Sequence, residues 1–130
     1  MVIAVLAAPT IVSAAVMSMH DDGDGSTQYR IYIGLNDRDT GTQLVSVEDA
    51  KDTLDRICDG RVDGYTIQVF EGVWTDDNGD RIRETSLICV FDGTDVDTIH
   101  RICDDLRTSL NQASILIESS EVRTECYSGS

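Results

Sequence analysis

The sequence predicts an α+β fold made of two βαβ halves, and three observations predict it. Four short segments alternate apolar and polar residues with the period of two that a half-buried strand requires. Two longer segments repeat apolar residues at helical spacing behind capping residues. The run Arg-Ile-Cys-Asp falls in both of these, at Arg56 to Asp59 within TLDRICDG and at Arg101 to Asp104 within TIHRICDD. We read the recurrence as a rib of the fold laid down twice, with Ile and Cys inward and Arg and Asp outward. Chance recurrence of helix-forming residues gives the same match.

The elements follow in order. Tyr29 to Leu35, YRIYIGL, is β-branched and alternating, with Ile31, Ile33 and Leu35 on one face and Arg30, Tyr32 and Gly34 on the other. Asn36 to Gln43 is a loop. Ser46-Val47-Glu48-Asp49 has the form of a capping box, with acids beside the positive helix end. A helix then runs to about Asp59 and stops at Gly60, with Val47, Ala50, Leu54, Ile57 and Cys58 as its apolar stripe. Tyr65 to Phe70 is the second strand, Ile67 and Val69 inward, Gln68 and Phe70 outward; beyond Gly72 the chain continues through Val73 and Trp74. Asn78-Gly79 signals a tight hairpin, because both residues tolerate positive φ. Arg81 to Phe91 returns as the third strand. Thr94 with Asp97 predicts a second cap, and a helix to about Leu110 carries Val96, Ile99, Cys103, Leu106 and Leu110 on its stripe. Ala113 to Glu118 is the last strand, with an extension towards Cys126 open. The order β-α-β-β-α-β is that of a ferredoxin-like sandwich, two helices on one face of a four-stranded antiparallel sheet. The domain spans residues 29–127.

Residues 1–28 stand apart. Met1 to Met19 carry no charge, and an acidic, Gly-containing linker, HDDGDGSTQ, follows. Three readings stay open. The first is a secretion signal cut after Ala14, which lacks the basic residues that normally precede one. The second is a misassigned start, with Met17 or Met19 initiating a cytoplasmic chain, and the third is an apolar anchor or packing arm. Location depends on this choice: outside the cytoplasm if residues 1–14 are a signal, cytoplasmic if the start is Met17 or Met19, and at a membrane only if the apolar segment is retained.

Charge narrows the function. With 24 acids against 10 bases the net charge is −14. Such a chain repels phosphate backbones, since nucleic-acid binding draws its free energy from cations that displace counterions. Direct binding to nucleic acid or to an anionic membrane is disfavoured, and basic partners are favoured. Solubility in high salt explains the same composition.

The chemistry-bearing residues are sparse. Cys58, Cys89 and Cys103 lie on apolar stripes and read as buried thiols; Cys126 is outside them. No metal site is expected: Asp37, Asp39 and Glu48 have the first, third and last positions of a calcium loop, but Gly41 and Thr42 replace its fifth ligand and its obligatory glycine. No cofactor is expected, and no nucleophile elbow or phosphate-cradling loop is present. If an acid–base pair exists, Glu71 and Glu84 on the two hairpin arms are the first choice. Tyr32 and Phe70 share the face that such a sheet leaves without helices, joined by either Ile88 and Val90 or Leu87 and Phe91. That face reads as a dimer or partner interface.

IYIGLNDRDTGTQ, GYTIQVFEGVWTDDNGDRIRETSL and LNQASILIESSEV together resemble small uncharacterised α+β proteins of gut Firmicutes and their mobile elements, with a YxGLNDxDT opening and a GxW…DG…E hairpin. More distantly, the hairpin is similar to a secreted bacterial family of unknown function. The chain departs from the pattern at Ala113, where the family carries an acid. The resemblance implies no activity; it marks Gly34, Asn36, Asp37, Asp39, Thr40, Gln43, Gly72, Trp74 and Glu84 as where a shared site would lie. Of these, Asn36, Asp37, Asp39, Gln43, Trp74 and Glu84 are the candidate binding residues. The alternative is that they shape turns.

The expected function is a non-enzymatic, acidic protein-interaction module that dimerises through its open sheet face. As a mobile-element accessory it would act on a basic partner, inhibiting a nucleic-acid enzyme by acidic mimicry in the sharpest version. The alternatives are a small-molecule binder or enzyme using the loop after the first strand and the hairpin, and an exported domain held by its N-terminal segment.

Overall fold

The computed structural model describes residues 26–129. The elements are β1 (Ser26–Gly34), α1 (Val47–Cys58), β2 (Thr66–Thr75), β3 (Arg81–Phe91), α2 (Val96–Ser109) and β4 (Leu116–Val122). All pairings are antiparallel in the order β2-β3-β1-β4, so β2 and β4 are the sheet edges. The chain has the ferredoxin-like α+β fold. The readings of residues 1–25 as signal, anchor or misassigned start lie outside the described residues.

One face of the sheet and the two helices share a single core. Ile31, Ile33 and Leu35 come from β1 and its exit, and Leu87, Cys89 and Phe91 from β3; all are buried. They meet Ala50, Leu54 and Cys58 of α1 and Ile99, Ile102, Cys103 and Leu106 of α2. The strand register puts Ile31 opposite Cys89 and Ile33 opposite Leu87, which aligns their side chains on one face.

The two Arg-Ile-Cys-Asp runs both turn their cysteines inward, but they are not at matched heights. Cys58 is the last residue of α1, and Cys103 is in the middle of α2. Measured from the two helix caps, the second run is one turn earlier, a shift that preserves the buried face.

Several boundaries differ from expectation, each for a local reason. β1 begins at Ser26, because Ser26, Thr27 and Gln28 pair with Val122, Glu121 and Ser120 of β4. An edge ladder of backbone bonds needs no apolar side chains, so alternation did not mark it. β4 runs further than the apolar segment for the same reason, and it starts at Leu116, where its ladder with Tyr32 ends. The cap of α2 is Asp95, not Thr94: its carboxylate accepts from the Thr98 amide at 2.8 Å. Val69 and Val96 are exposed instead of inward; Val69 lies on the edge strand β2, outside its buried neighbour Leu87 of β3.

The hairpin is not a two-residue Asn-Gly turn. Five residues separate Thr75 from its partner Arg81, and only Gly79 has positive φ. Asp76 closes the turn by accepting from the amides of Asn78 and Asp80 at 2.9 Å each.

Ser46 caps α1 as expected, accepting from the Asp49 amide at 3.0 Å. Ser46→Ala should lower the unfolding free energy by about 1 kcal/mol. Urea denaturation checks this; an unchanged midpoint contradicts the cap.

Candidate functional site

The helix-free face carries the side chains of alternate residues. Register places Gly72 opposite Glu84, Phe70 opposite Ser86, and Trp74 opposite Ile82. On the other side of β3, Gly34 is opposite Ser86 and Tyr32 is opposite Ile88. Trp74, Glu84, Phe70 and Tyr32 therefore share one surface. Two of the six residues expected to bind, Trp74 and Glu84, are brought together there with both residues expected to form an interface. Ile88 and Val90 complete the face; Leu87 and Phe91 are in the core.

Glu84 is the organised polar group of this face. Its Oε2 accepts from the Asn36 backbone amide at 3.0 Å, and its Oε1 accepts from the Trp74 indole Nε1 at 3.0 Å. The indole is 49% exposed, so its ring presents a surface beside the carboxylate. Tyr32 and Phe70 meet edge to face with centroids 6.1 Å apart. Tyr32 donates its hydroxyl to Glu118 at 2.7 Å, and that bond raises its pKa above the ordinary phenol value.

Glu71 and Glu84 do not form a pair. Glu71 is opposite Thr85, on the other face of the hairpin, where it lies 3.5 Å from Arg83. The one-residue difference in parity separates the two carboxylates by the thickness of the sheet.

The remaining candidates build the loop beside Glu84. Asp37 accepts from the amides of Asp39 and Thr40, each at 3.0 Å. Asn111, whose φ is +49°, donates to Asp37 at 2.7 Å and to Asp39 at 2.9 Å. The Asn111 amide is the main cause that holds the Asp37 carboxyl below its usual pKa. Gln43 pairs with Asn36 across the loop and donates to the Val45 carbonyl at 2.8 Å. Buried Gln112 donates to the Asn36 carbonyl at 2.8 Å. Asp37, Asp39 and Gln43 are thus committed to loop geometry, and their role is to hold Asn36 in place.

Sequence reasoning missed the parts played by Asn111 and Gln112. For Gly34 a signal existed: a lone glycine inside a strong strand pattern marks a close approach by another group.

Two shallow depressions lie elsewhere. One, of about 440 Å³, runs between α2 and β4 and includes His100, Cys103 and Arg107. The other, of about 270 Å³, sits between Arg38 and Asn111. Neither includes Glu84. Both are open to solvent, and the first is lined in part by Ala113, Ile115 and Ile117.

Cys58, Cys89 and Cys103 are buried and free, and Cys126 is exposed and free. Burial pushes the Cys58 thiol up to about 12 and the Cys103 thiol up to about 11; Cys89 rises for the same reason. Among the described residues no group of three or more His, Cys, Asp or Glu could hold a metal ion, and no helix is long and apolar enough to cross a membrane.

With that geometry set out, comparison with known proteins gives the following. No protein-family model matches the chain, and no curated protein matches it. Solved structures do. The chain is similar to a phage SAM lyase. In complex with S-methyl-5′-thioadenosine, that structure is 22% identical, with a TM-score of 0.62, over 85% of this chain and 98% of the lyase. Its apo state is 24% identical with a TM-score of 0.55. The divalent cation tolerance protein CutA of Archaeoglobus fulgidus is 12% identical, with a TM-score of 0.53, over 76% of this chain and 87% of that one. CutA of Synechococcus elongatus is also 12% identical, with a TM-score of 0.53, over 85% and 87%. At these identities the likeness establishes the fold.

Proposed function

We propose that this chain is a small-ligand module whose open sheet face takes an adenosyl sulfonium or thioether, the chemical class of S-adenosylmethionine, with Glu84 as polar anchor. The observation that carries this reading is the Glu84 carboxylate, held from two sides beside the exposed ring of Trp74, one row from Phe70 and two rows from Tyr32. Aromatic rings supply faces on which a base stacks. A carboxylate in a chain of net charge −14 suits a cationic ligand. The likeness to a phage SAM lyase, over 98% of that protein, supports the ligand class. S-Methyl-5′-thioadenosine is what remains of S-adenosylmethionine when the aminobutyrate group leaves sulfur: the carbon–sulfur bonding pair stays on sulfur and cancels its charge, while the departing carbon is captured by an oxygen of the group's own carboxylate, closing a lactone.

The test is calorimetric titration with S-methyl-5′-thioadenosine and S-adenosylmethionine, with chromatography to follow conversion of the second into the first. Both ligands should bind. Glu84→Gln should weaken binding by ~10- to 100-fold, the loss that follows when a charged hydrogen-bond acceptor becomes neutral. No binding of either ligand at millimolar concentration overturns the proposal.

A protein-interaction role is the second reading, and exposure of apolar side chains on both edge strands favours it. Val69, Val73 and Trp74 are all exposed on edge strand β2, and Leu116 on edge strand β4. We propose that the chain self-associates through this sheet, which would also place a wall over the otherwise open Glu84. Light scattering on the eluted protein should give a mass of at least two chains at micromolar concentration. A monomer at high micromolar concentration contradicts it. Acidic mimicry of nucleic acid predicts instead a basic partner whose affinity falls steeply as salt rises.

A further inference from the structure

Gly34 is a glycine that the backbone does not require. Its φ is not in the left-handed region, and it sits in the body of a regular antiparallel ladder opposite Ser86. Any residue could adopt that conformation. The obstacle is Glu84. A Cβ at position 34 would lie 2.5 Å from Oε2, 2.6 Å from Cδ and 2.7 Å from Oε1 of that side chain. No real Cβ approaches so closely. The near-equality of the three distances says more: the carboxylate lies broadside against Gly34, with its plane facing the strand.

This fixes what the carboxylate can still do. A carboxylate accepts hydrogen bonds in its own plane, at about four lone-pair sites on two oxygens. Gly34 occupies the space above the plane and blocks none of them. The Asn36 amide uses one site on Oε2, and the Trp74 indole uses one on Oε1. One acceptor site remains on each oxygen. The result is a rigid pair of acceptors whose orientation is set before any ligand arrives.

We propose that Gly34 is a positioning residue that sets Glu84 broadside to the strand, and that the remaining acceptor pair takes the two hydroxyls of a ribose. The ribose assignment rests on the adenosyl reading above. A vicinal diol offers two adjacent donors, which matches one free site on each oxygen. Ser86, the next outward residue of β3, is about 7 Å further along the strand, and Phe70 is opposite it. That is the spacing of a base from the hydroxyl edge of its own sugar.

Two readouts separate the positioning role from the ligand assignment. The first needs no ligand. Trp74 is the only tryptophan, so its indole N–H gives one resolvable proton resonance. In Gly34→Ala that resonance should move to where it lies in Glu84→Ala, because the added methyl evicts the carboxylate from its bond to the indole. An unmoved resonance overturns the positioning role. Should Gly34→Ala alone fail to fold, the double variant with Glu84→Ala removes the overlap and should melt within a few degrees of Glu84→Ala. A double variant as damaged as Gly34→Ala alone overturns the role equally.

The second readout is binding of S-methyl-5′-thioadenosine against its 2′-deoxy analogue. The native chain should prefer the ribose form by tenfold or more, and Glu84→Ala should lose that preference while keeping the weaker binding due to stacking. Equal binding of the two forms by the native chain overturns the diol assignment and leaves the adenosyl reading standing. Absence of any binding overturns both, and the indole resonance still judges Gly34.

Discussion

Phe91→Ala should lower the unfolding free energy by about 3–5 kcal/mol, the range for deleting a buried phenylalanine ring. Phe91 is fully buried at the end of β3, among the largest fully enclosed side chains of the domain. Its ring is 6.0 Å from that of Tyr65, tilted by 43°. Tyr65 in turn donates to Asp55 of α1 at 2.5 Å, so the ring pair joins the sheet to the helix layer. Removing the phenyl group leaves a cavity that neighbouring strands, fixed by ladder hydrogen bonds, cannot collapse to fill. Small domains hold roughly 5–15 kcal/mol in all, so the variant should lose a large share of its stability. Urea denaturation of both proteins measures the difference. A loss below about 1 kcal/mol would mean that the site relaxes freely and that this end of the core is not packed as described.

Thiol labelling should divide the four cysteines by orders of magnitude. Cys126 should react at once with an aromatic disulfide reagent at pH 8, while Cys58, Cys89 and Cys103 should react only through unfolding. With folding equilibrium constants of roughly 10³–10⁸ for small domains, the native chain should show one fast thiol and the denatured chain four. Two causes act together: the reagent has no access, and burial raises the thiol pKa values, to about 12 for Cys58 and about 11 for Cys103. The same shifts fix a pH dependence. A thiol whose folded pKa exceeds its unfolded value of about 9 stabilises the fold fully below pH 9. That contribution is lost as pH rises from 9 through 11 and 12. Stability should therefore fall in alkali over that window, and Cys103→Ser should blunt its lower part. Fast labelling of more than one thiol in the native chain contradicts the inward placement of the repeated ribs.

How legible this molecule was depends on whether a feature shows in side-chain alternation. Ile31, Ile33 and Leu35 announced the buried face of β1, and Arg81 and Phe91 bounded β3, because a half-buried strand must alternate. Ser26 to Gln28 did not announce themselves, since their pairing with the edge strand β4 rests on backbone bonds, which need no apolar side chains. Asp95 was overlooked as a cap because Thr94 offered the same chemistry one residue earlier. Trp74 and Glu84 were legible as unusual residues on the hairpin arms. That they share a face with Tyr32 and Phe70, while Glu71 does not, depends on the pairing register, which the five-residue turn sets. Asp37, Asp39 and Gln43 were equally prominent, and only their partners, above all Asn111, show that they hold the loop together. Gly34 was visible as an interruption, but its cause lies on a strand some fifty residues away.

The central claim is that the open sheet face, and not the hollow between α2 and β4, is the working surface. The most direct measurement is a titration of the isotopically labelled chain with S-methyl-5′-thioadenosine, followed by amide and indole resonances. Progressive shifts are expected at Gly34, Phe70, Gly72, Glu84 and the Trp74 indole, with His100, Cys103 and Arg107 unmoved. Shifts confined to His100, Cys103 and Arg107, or none anywhere at saturating ligand, would contradict that claim.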